Sequence, residues 1–320
     1  ACKWDYELRF PEQLSDLFDR SWSIANSTPT GPVYMSLPRE VLCEQCPSDG
    51  LDQASRIAPV TSAPDPAALR EAAELLATAK NPLIIAQRGA GSRQAFEALA
   101  DFTKEWALPL SHYWANQIAI PLSSPMHVSW NPDELLAKAD VILVLNALAP
   151  WWPDKAAPGP AAKIIHLGPD PLFARSTPVR NFRADVNLAG ETGPAILALI
   201  DAMKDLPRDK KLLDKRRKHI TELAKTNEKT VTTLAEAGNK SPMSKEWVSL
   251  CLGRAIKAQP LKASVFHELG CPLPPLFLED HLSYFQEPHS GGLGWGLPAA
   301  LGAQLADRDR LVFATMGDGS

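Results

Sequence analysis

The sequence has no surplus of basic charge. Its 33 Lys and Arg residues stand against 37 Asp and Glu. That balance argues against a nucleic-acid partner, because phosphate binding leaves a basic excess. No apolar run approaches the length of a membrane span, and no stretch carries a secretory-leader pattern. Five cysteines in 320 residues are too few for a disulfide scaffold. Together these absences point to the cytoplasm as the expected compartment, with no membrane. Cys43 and Cys46 form one Cys-x-x-Cys pair, which is half a zinc site. No second pair or suitably spaced histidine completes it, so both read as incidental thiols. Two phosphate-binding signatures are missing as well. The glycine-rich stretch lacks GxGxxG spacing, and no Gly-Lys-Ser/Thr marks a P-loop.

What is present is a chain of short alternating segments. Hydrophobic residues make up 45%, enough for sizeable cores, and 29 prolines suit many loops. In residues 1–43, Pro11 precedes Leu14, Leu17, Phe18 and Trp22 at helical spacing, and Val33 to Leu37 reads as a buried strand. Residues 44–65 form a linker rich in Pro, Ser, Asp and Ala. Residues 66–205 alternate helix and strand, with Asp65 as N-cap and Pro66 as first helical residue. Strands are expected at Leu83 to Ala86, Val141 to Leu145 and Lys163 to Leu167. Such alternation implies an α/β fold with a parallel sheet covered on both faces. Residues 206–240 are charged and helical. Their basic run, Lys215 to Lys218, reads as a solvated face of a linker helix. Residues 241–320 start another α/β unit, with a strand at Ala263 to Phe266.

The chemistry concentrates in 289–320. Gly291, Gly292, Gly294 and Gly296 fall within six residues. A helix over Leu297 to Ala306 and a strand over Leu311 to Thr315 follow, and the strand runs into Gly317-Asp318-Gly319-Ser320. Ligands of open α/β sheets bind at such strand ends. Glycines let backbone approach a phosphate, and one carboxylate with phosphate oxygens is the ligand set Mg2+ favours. Asp-Gly is also ordinary turn chemistry, so the tetrapeptide alone leaves both readings open. The upstream glycines favour the binding loop.

Gly-Gly-Leu-Gly-Trp-Gly-Leu-Pro-Ala-Ala, followed by Asp-Arg before a strand ending in Gly-Asp-Gly-Ser, resembles the diphosphate-binding domain of thiamine diphosphate-dependent enzymes. The acetolactate synthases and benzoylformate decarboxylases are the nearest groups. The resemblance implies Rossmann-like parallel-sheet domains: the end of a pyrimidine-binding domain at 1–43, a complete central domain at 66–205, and the start of the diphosphate-binding domain at 241–320. It implies Asp318 as Mg2+ ligand, with Gly317, Gly319 and Ser320 against the diphosphate. Gly270 and Cys271 would touch the diphosphate from the preceding strand end. The Gly291 carbonyl would accept from the cofactor's amino group, and Leu293 would be the apolar wedge that keeps the cofactor bent. His289, and less so His281, are candidates to face the substrate. The implied substrate is a 2-oxo acid and the implied assembly a homodimer or homotetramer. With no Met at residue 1 and a stop at Ser320 inside a binding loop, the chain is expected to be an internal piece of a longer protein. The activating glutamate and a further Mg2+ ligand would then lie elsewhere, and the piece alone would be inactive.

The sequence departs from the pattern in places. Acetolactate synthases bind a flavin in the central domain. Here Asn146, Ala147 and Leu148 stand where that pattern has Gly-Ala-Arg, so FAD is possible but not favoured. Pro153 falls near the position of a catalytic histidine in benzoylformate decarboxylases, although Leu293 leans towards that group. Trp151 and Trp152 read as a pocket wall or a hydrophobic latch. The expected activity is an acetolactate synthase-like carboligase or decarboxylase. A benzoylformate decarboxylase-like lyase and a non-catalytic paralogue with a structural or nucleotide-binding central domain are the alternatives.

Overall fold

The order of strands follows from which apolar runs can be covered on both faces. A computed structural model of the chain describes residues 2–45, 57–170, 182–288 and 291–320. At the start, β1 (Trp4–Glu7) and β2 (Val33–Ser36) pair in parallel, with α1 (Leu14–Asn26) between them and α2 (Arg39–Leu42) after them. Of the helical stripe on α1, Leu17 is buried, whereas Phe18 and Trp22 stay exposed. Cys43 is exposed, and Cys46 lies outside the described residues.

The central unit runs through α3 (Pro66–Thr78), β3 (Pro82–Arg88), α4 (Arg93–Glu105), β4 (Leu110–Gln117), β5 (His127–Ser129), α5 (Asp133–Leu136), β6 (Val141–Leu145), β7 (Lys163–Gly168), β8 (Val186–Ala189) and α6 (Thr192–Met203). Asp65 caps α3 as its chemistry requires, accepting from the amides of Ala67 at 2.8 Å and Ala68 at 3.0 Å. Ser92 caps α4 through the amide of Ala95. The six strands lie in the order β5-β4-β3-β6-β7-β8 and pair in parallel throughout. This is the doubly wound order, with its switch between β3 and β6. Side chains alternate across the sheet. Ile84, Ala86, Leu143 and Leu145 join the larger core on one face. Leu83, Ile85, Ile142 and Val144 join a second core on the other, together with Trp151. Trp151 meets Phe182 edge-on and is buried, while Trp152 is exposed. The Trp pair is therefore half latch and half surface, and the latch lies inside this unit.

The helix α7 (Lys210–Glu236) is more than a solvated linker. It covers β5, the edge strand, and Asn227 donates to the Val128 carbonyl there, closing a sheet edge that would otherwise stay unpaired. Arg216, within the basic run, is buried and donates to the carbonyls of Ala79, at 2.9 Å, and Trp106. Burial lowers its pKa to about 10, and it stays charged at neutral pH. The reading of this run as solvated fails at Arg216, because a guanidinium can be buried when carbonyls satisfy it.

After α8 (Lys245–Lys257) comes a smaller sheet, made of β9 (Ala263–His267), β10 (Tyr284–Gln286) and β11 (Leu311–Thr315), with α9 (Gly296–Ala306) before β11. Both outer strands pair in parallel with β9, which is central. Val265, Leu276, Leu278 and Tyr284 of this unit belong to the larger core of the central unit. Asn116 donates to the Glu287 carbonyl at 3.0 Å and Arg93 to Asp280 at 2.8 Å across the same junction. No helix among the described residues is long and apolar enough to cross a membrane.

Candidate active site

The carboxyl ends of β9 and β11 sit side by side, with Thr315 in register with His267. Three loops leave this edge or return to it. The amides of Glu268, at 2.9 Å, and Leu269, at 3.3 Å, donate to the Thr315 carbonyl, locking the first loop to the end of β11. Beyond Thr315 the chain turns at Gly317 to Ser320, where the Ser320 amide donates to the Gly317 carbonyl at 3.2 Å. A Cβ on Gly317 would lie 3.3 Å from Leu269 Cδ1, so the two loops touch. Asp318, Gly319 and Ser320 form the exposed tip.

The glycine loop enters from the other side. Its residue Gly291 donates its amide to the Pro288 carbonyl at 2.7 Å. A Cβ there would meet Glu287 Cγ at 2.6 Å, which makes glycine a steric requirement. Gly294 has a φ of +89°, the left-handed region glycine enters without strain. Leu293 projects from the loop, 71% exposed.

The glycine loop is tied to β9 by a residue that sequence reasoning missed. Glu268 is 4% exposed. One carboxylate oxygen accepts from the Gly294 amide at 3.1 Å and the other from the Gly296 amide at 2.8 Å. The Ser320 side chain, then the amides of Gly296 and Gly294, hold this carboxyl below the usual carboxylate range. The helix α9 has Trp295 as its N-cap, with no side-chain cap of its own. Glu268, directly after β9 and 28 residues away, supplies that cap. An acidic residue directly after a buried strand was the available signal.

The structure thus brings together Gly294, Gly296, Gly317 and Ser320, with Asp318 and Leu293 at the open rim. Gly270 has a φ of +86° and open space where a Cβ would stand, which suits a loop that receives a ligand. Cys271 does not stand with these open groups. It is 3% exposed, beside Ser249 and Tyr284, and burial pushes its thiol pKa up. The Cys271 side chain is packed inside rather than turned towards these loops. His289 lies outside the described residues. His281 is corrected: it sits at the other end of the sheet, just before β10, and packs on Phe96 of α4 at 5.7 Å. The histidine that stands at the correct end is His267, whose Nδ1 lies 3.1 Å from Thr315 Oγ1. Burial, with a smaller contribution from Lys245, lowers its pKa to about 4, so it is neutral at pH 7.

These groups fit a diphosphate and its cation. The single exposed carboxylate of Asp318 leaves coordination positions for phosphate oxygens, as Mg2+ prefers. Among the described residues, no cluster of three or more His, Cys, Asp or Glu side chains forms a self-sufficient metal cage. The open backbone at Gly292, Gly294 and Gly319 leaves room for a ligand where any side chain would intrude.

An open edge of this kind, on parallel sheets joined through a doubly wound central unit, has the form of a diphosphate-binding domain. The sequence comparisons agree. Residues 69–199 match the thiamine pyrophosphate enzyme central domain, and residues 276–320 match the C-terminal TPP binding domain. Together the two matches cover more than half of the chain, and the chain belongs to the thiamine pyrophosphate enzyme family. It is 26% identical to a probable 2-ketoarginine decarboxylase of Pseudomonas aeruginosa, over 97% of this chain and 54% of that protein. It is 24% identical to a probable acetolactate synthase large subunit of Methanocaldococcus jannaschii, over 99% of this chain and 55% of the relative. Benzoylformate decarboxylase of Pseudomonas aeruginosa is 26% identical, over 99% of this chain and 58% of its own length. The chain therefore spans somewhat over half the length of these relatives. The fold matches the crystal structure of benzoylformate decarboxylase from Polynucleobacter necessarius with a TM-score of 0.71 and 21% identity, covering 99% of this chain and 58% of that one.

Proposed function

We propose that the protein is a thiamine diphosphate- and Mg2+-dependent carboligase or decarboxylase of 2-oxo acids, acetolactate synthase-like in its chemistry. The observation that carries this is the meeting of two loops at one sheet edge: the exposed Asp318-Gly319-Ser320 tip and the glycine loop bearing Leu293. Asp318 would hold the cation, while Gly317, Gly319 and Ser320 would face the diphosphate, with Gly270 lining the same side. The Gly291 carbonyl would accept from the cofactor's amino group. Leu293 would press on the cofactor between its two rings. When bound, thiamine diphosphate supplies the nucleophilic carbon and the electron sink that 2-oxo acid decarboxylation needs. The chain's own part is to bind, bend and shield that group. His289 is the residue proposed to face the substrate. Neutral His267 lies at the same edge, with its Nδ1 3.1 Å from Thr315 Oγ1.

Leu293 favours a second reading, a benzoylformate decarboxylase-like lyase, since an apolar Leu wedge leans towards that group. A homodimer is the proposed minimal unit. The central domain is proposed to work without flavin. At the β3–β6 switch, the buried Gln87 side chain already accepts from the Leu148 amide at 2.7 Å, and Asn146 donates to Thr192 Oγ1 at 3.0 Å. The test is a titration of the full-length protein with thiamine diphosphate and Mg2+, followed by incubation with pyruvate and with benzoylformate. A carboligase releases a 2-hydroxy-3-oxo acid from pyruvate, and a lyase releases an aldehyde. Absence of metal-dependent cofactor binding would defeat the proposal.

A further inference from the structure

We infer that Glu268 is a positioning residue for the cofactor: its carboxylate fixes the separation between the glycine loop and the Gly-Asp-Gly-Ser loop. This rests on the functional reading above. The geometry is specific. Glu268 follows the central strand β9, and its own amide is bonded to the Thr315 carbonyl of β11 at 2.9 Å. Its backbone is therefore fixed to the strand that delivers Asp318. Its side chain reaches the other way, with each oxygen on a different amide of the glycine loop, Gly294 at 3.1 Å and Gly296 at 2.8 Å. The Ser320 hydroxyl, on the diphosphate side, also stabilises the carboxylate. One buried residue thus ties the glycine loop, through its side chain, to the end of β11, through its backbone.

The chemistry explains why a carboxylate serves here. The first turn of a helix leaves its amides without partners, and these carry partial positive charge. A carboxylate accepts at both oxygens and gains from that charge. A glutamine would keep one acceptor but turn an N–H group towards one of the amides. A helix cap alone needs one acceptor and no contact with the second loop. The orientation also separates roles. With both oxygens engaged by the glycine loop, Glu268 leaves cation binding to Asp318. A shift of the glycine loop relative to β11 would move the Leu293 wedge away from the Asp318 anchor, although neither residue would have changed.

The test uses the full-length protein with Glu268→Gln and Glu268→Asp. Cofactor binding is followed by calorimetry. Thermal unfolding is recorded without cofactor. We expect Glu268→Gln to bind thiamine diphosphate about tenfold more weakly at saturating Mg2+, in line with loss of a charge-assisted bond. Glu268→Asp keeps the charge but is one methylene shorter, and is expected to bind more weakly than wild type as well. A residue that only capped α9 would lower the melting temperature and leave the affinity of the folded protein unchanged. Wild-type affinity in Glu268→Gln overturns the inference, and tighter binding overturns it too, since Glu268 would then be a competitor of the diphosphate. If Glu268→Gln does not fold, wild-type affinity in Glu268→Asp is the overturning result. Failure of the wild-type protein to bind the cofactor would instead defeat the functional reading.

Discussion

In the central sheet, β6 is buried at every one of its five positions, and β3 at every position before Arg88. In the smaller sheet, β11 is half-buried at all five of its positions. The helices differ in the same way. The helix α4 buries Phe96, Leu99 and Phe102, whereas α9 leaves Leu297, Leu301 and Leu305 exposed. Both sheets are parallel and both read as apolar runs, yet only the second carries the candidate site. A sheet covered on both faces spends its side chains on packing. The carboxyl edge of the smaller sheet presents backbone amides, glycines and a carboxylate. Substitutions in the central sheet are therefore expected to act first on stability, and those at this edge first on binding.

The largest effect is expected in the closed region. Leu143 is 1% exposed at the centre of the sheet. Leu143→Ala should destabilise the protein by about 4 kcal/mol, since the rigid surroundings leave a cavity. Chemical denaturation measures this directly. Cofactor affinity of the remaining folded protein should be unchanged, and a parallel loss of affinity would break the separation.

Acid should act on the closed region next. His127 and His112 are buried, with ring centroids 5.0 Å apart. Burial lowers the His127 pKa from 6.5 to about 4, and burial, with the charge of His127, also lowers that of His112 well below the ordinary range. The folded pKa is the lower one, so below pH 6.5 the unfolded chain binds protons that the folded chain refuses. The stability from neutral His127 is complete above pH 6.5 and is lost as pH falls towards 4, by roughly 3 kcal/mol. Denaturation midpoints between pH 7 and 4 check the slope. His127→Gln should flatten it, and an unchanged slope would show that His127 does not titrate this way.

How much of this was readable follows the same division. The runs Leu-Ile-Ile-Ala and Val-Ile-Leu-Val-Leu announce β3 and β6, because parallel strands buried on both faces read as continuous apolar segments. The strand β4 escaped, since Leu-Ser-His-Tyr-Trp-Ala-Asn-Gln looks polar. Its His112 is buried by accepting the Ala119 amide at 2.8 Å, a bond that no local pattern encodes. The helix α7 shows only a thin apolar edge, and Arg216 adds burial through distant carbonyls. At the site, Asp318, Gly291 and Leu293 stood out because glycine spacing is local information. Glu268 and His267 did not, because their roles arise only when β9 meets β11 and the glycine loop folds back. Cys271 matched by position in the chain, but a residue next to a loop can still turn inward.

In the open region the effects fall on binding and turnover rather than on folding. Asp318→Ala should weaken metal-dependent cofactor binding by roughly 100-fold, because an unshielded diphosphate would face a poorly held cation. Leu293→Ala should leave affinity near wild type and reduce turnover about tenfold, since it removes shape and thus preorganisation. Titration of each variant with thiamine diphosphate and Mg2+, then turnover at saturation, separates the two. Wild-type affinity in Asp318→Ala would remove the loop from the diphosphate site. Normal turnover in Leu293→Ala would move the glycine loop to another part of the cofactor.

The smallest effect lies at the junction, where the two regions meet on Asp280. Arg93 of α4 reaches it at 2.8 Å and Arg310, just before β11, at 3.2 Å. These two ion pairs are not equivalent. Arg93 is 42% exposed at its side chain, whereas Arg310 is 8% exposed and also donates to the Ala263 carbonyl at 3.0 Å. Water screens the first pair, so Arg93→Ala should cost no more than about 1 kcal/mol and less in high salt. Loss of Arg310 strips a buried carbonyl of its partner and should cost more, about 2 kcal/mol. The comparison predicts where each loss appears. Arg310 belongs wholly to the smaller sheet, so its removal should loosen β9 and β11 and weaken cofactor binding. Arg93→Ala only unties the closed region from the open one. If the shared core of Val265, Leu276 and Tyr284 already holds them together, cofactor affinity will not move. Weaker binding in Arg93→Ala, equal to that in Arg310→Ala, would mean that the surface pair and not the core couples the two sheets.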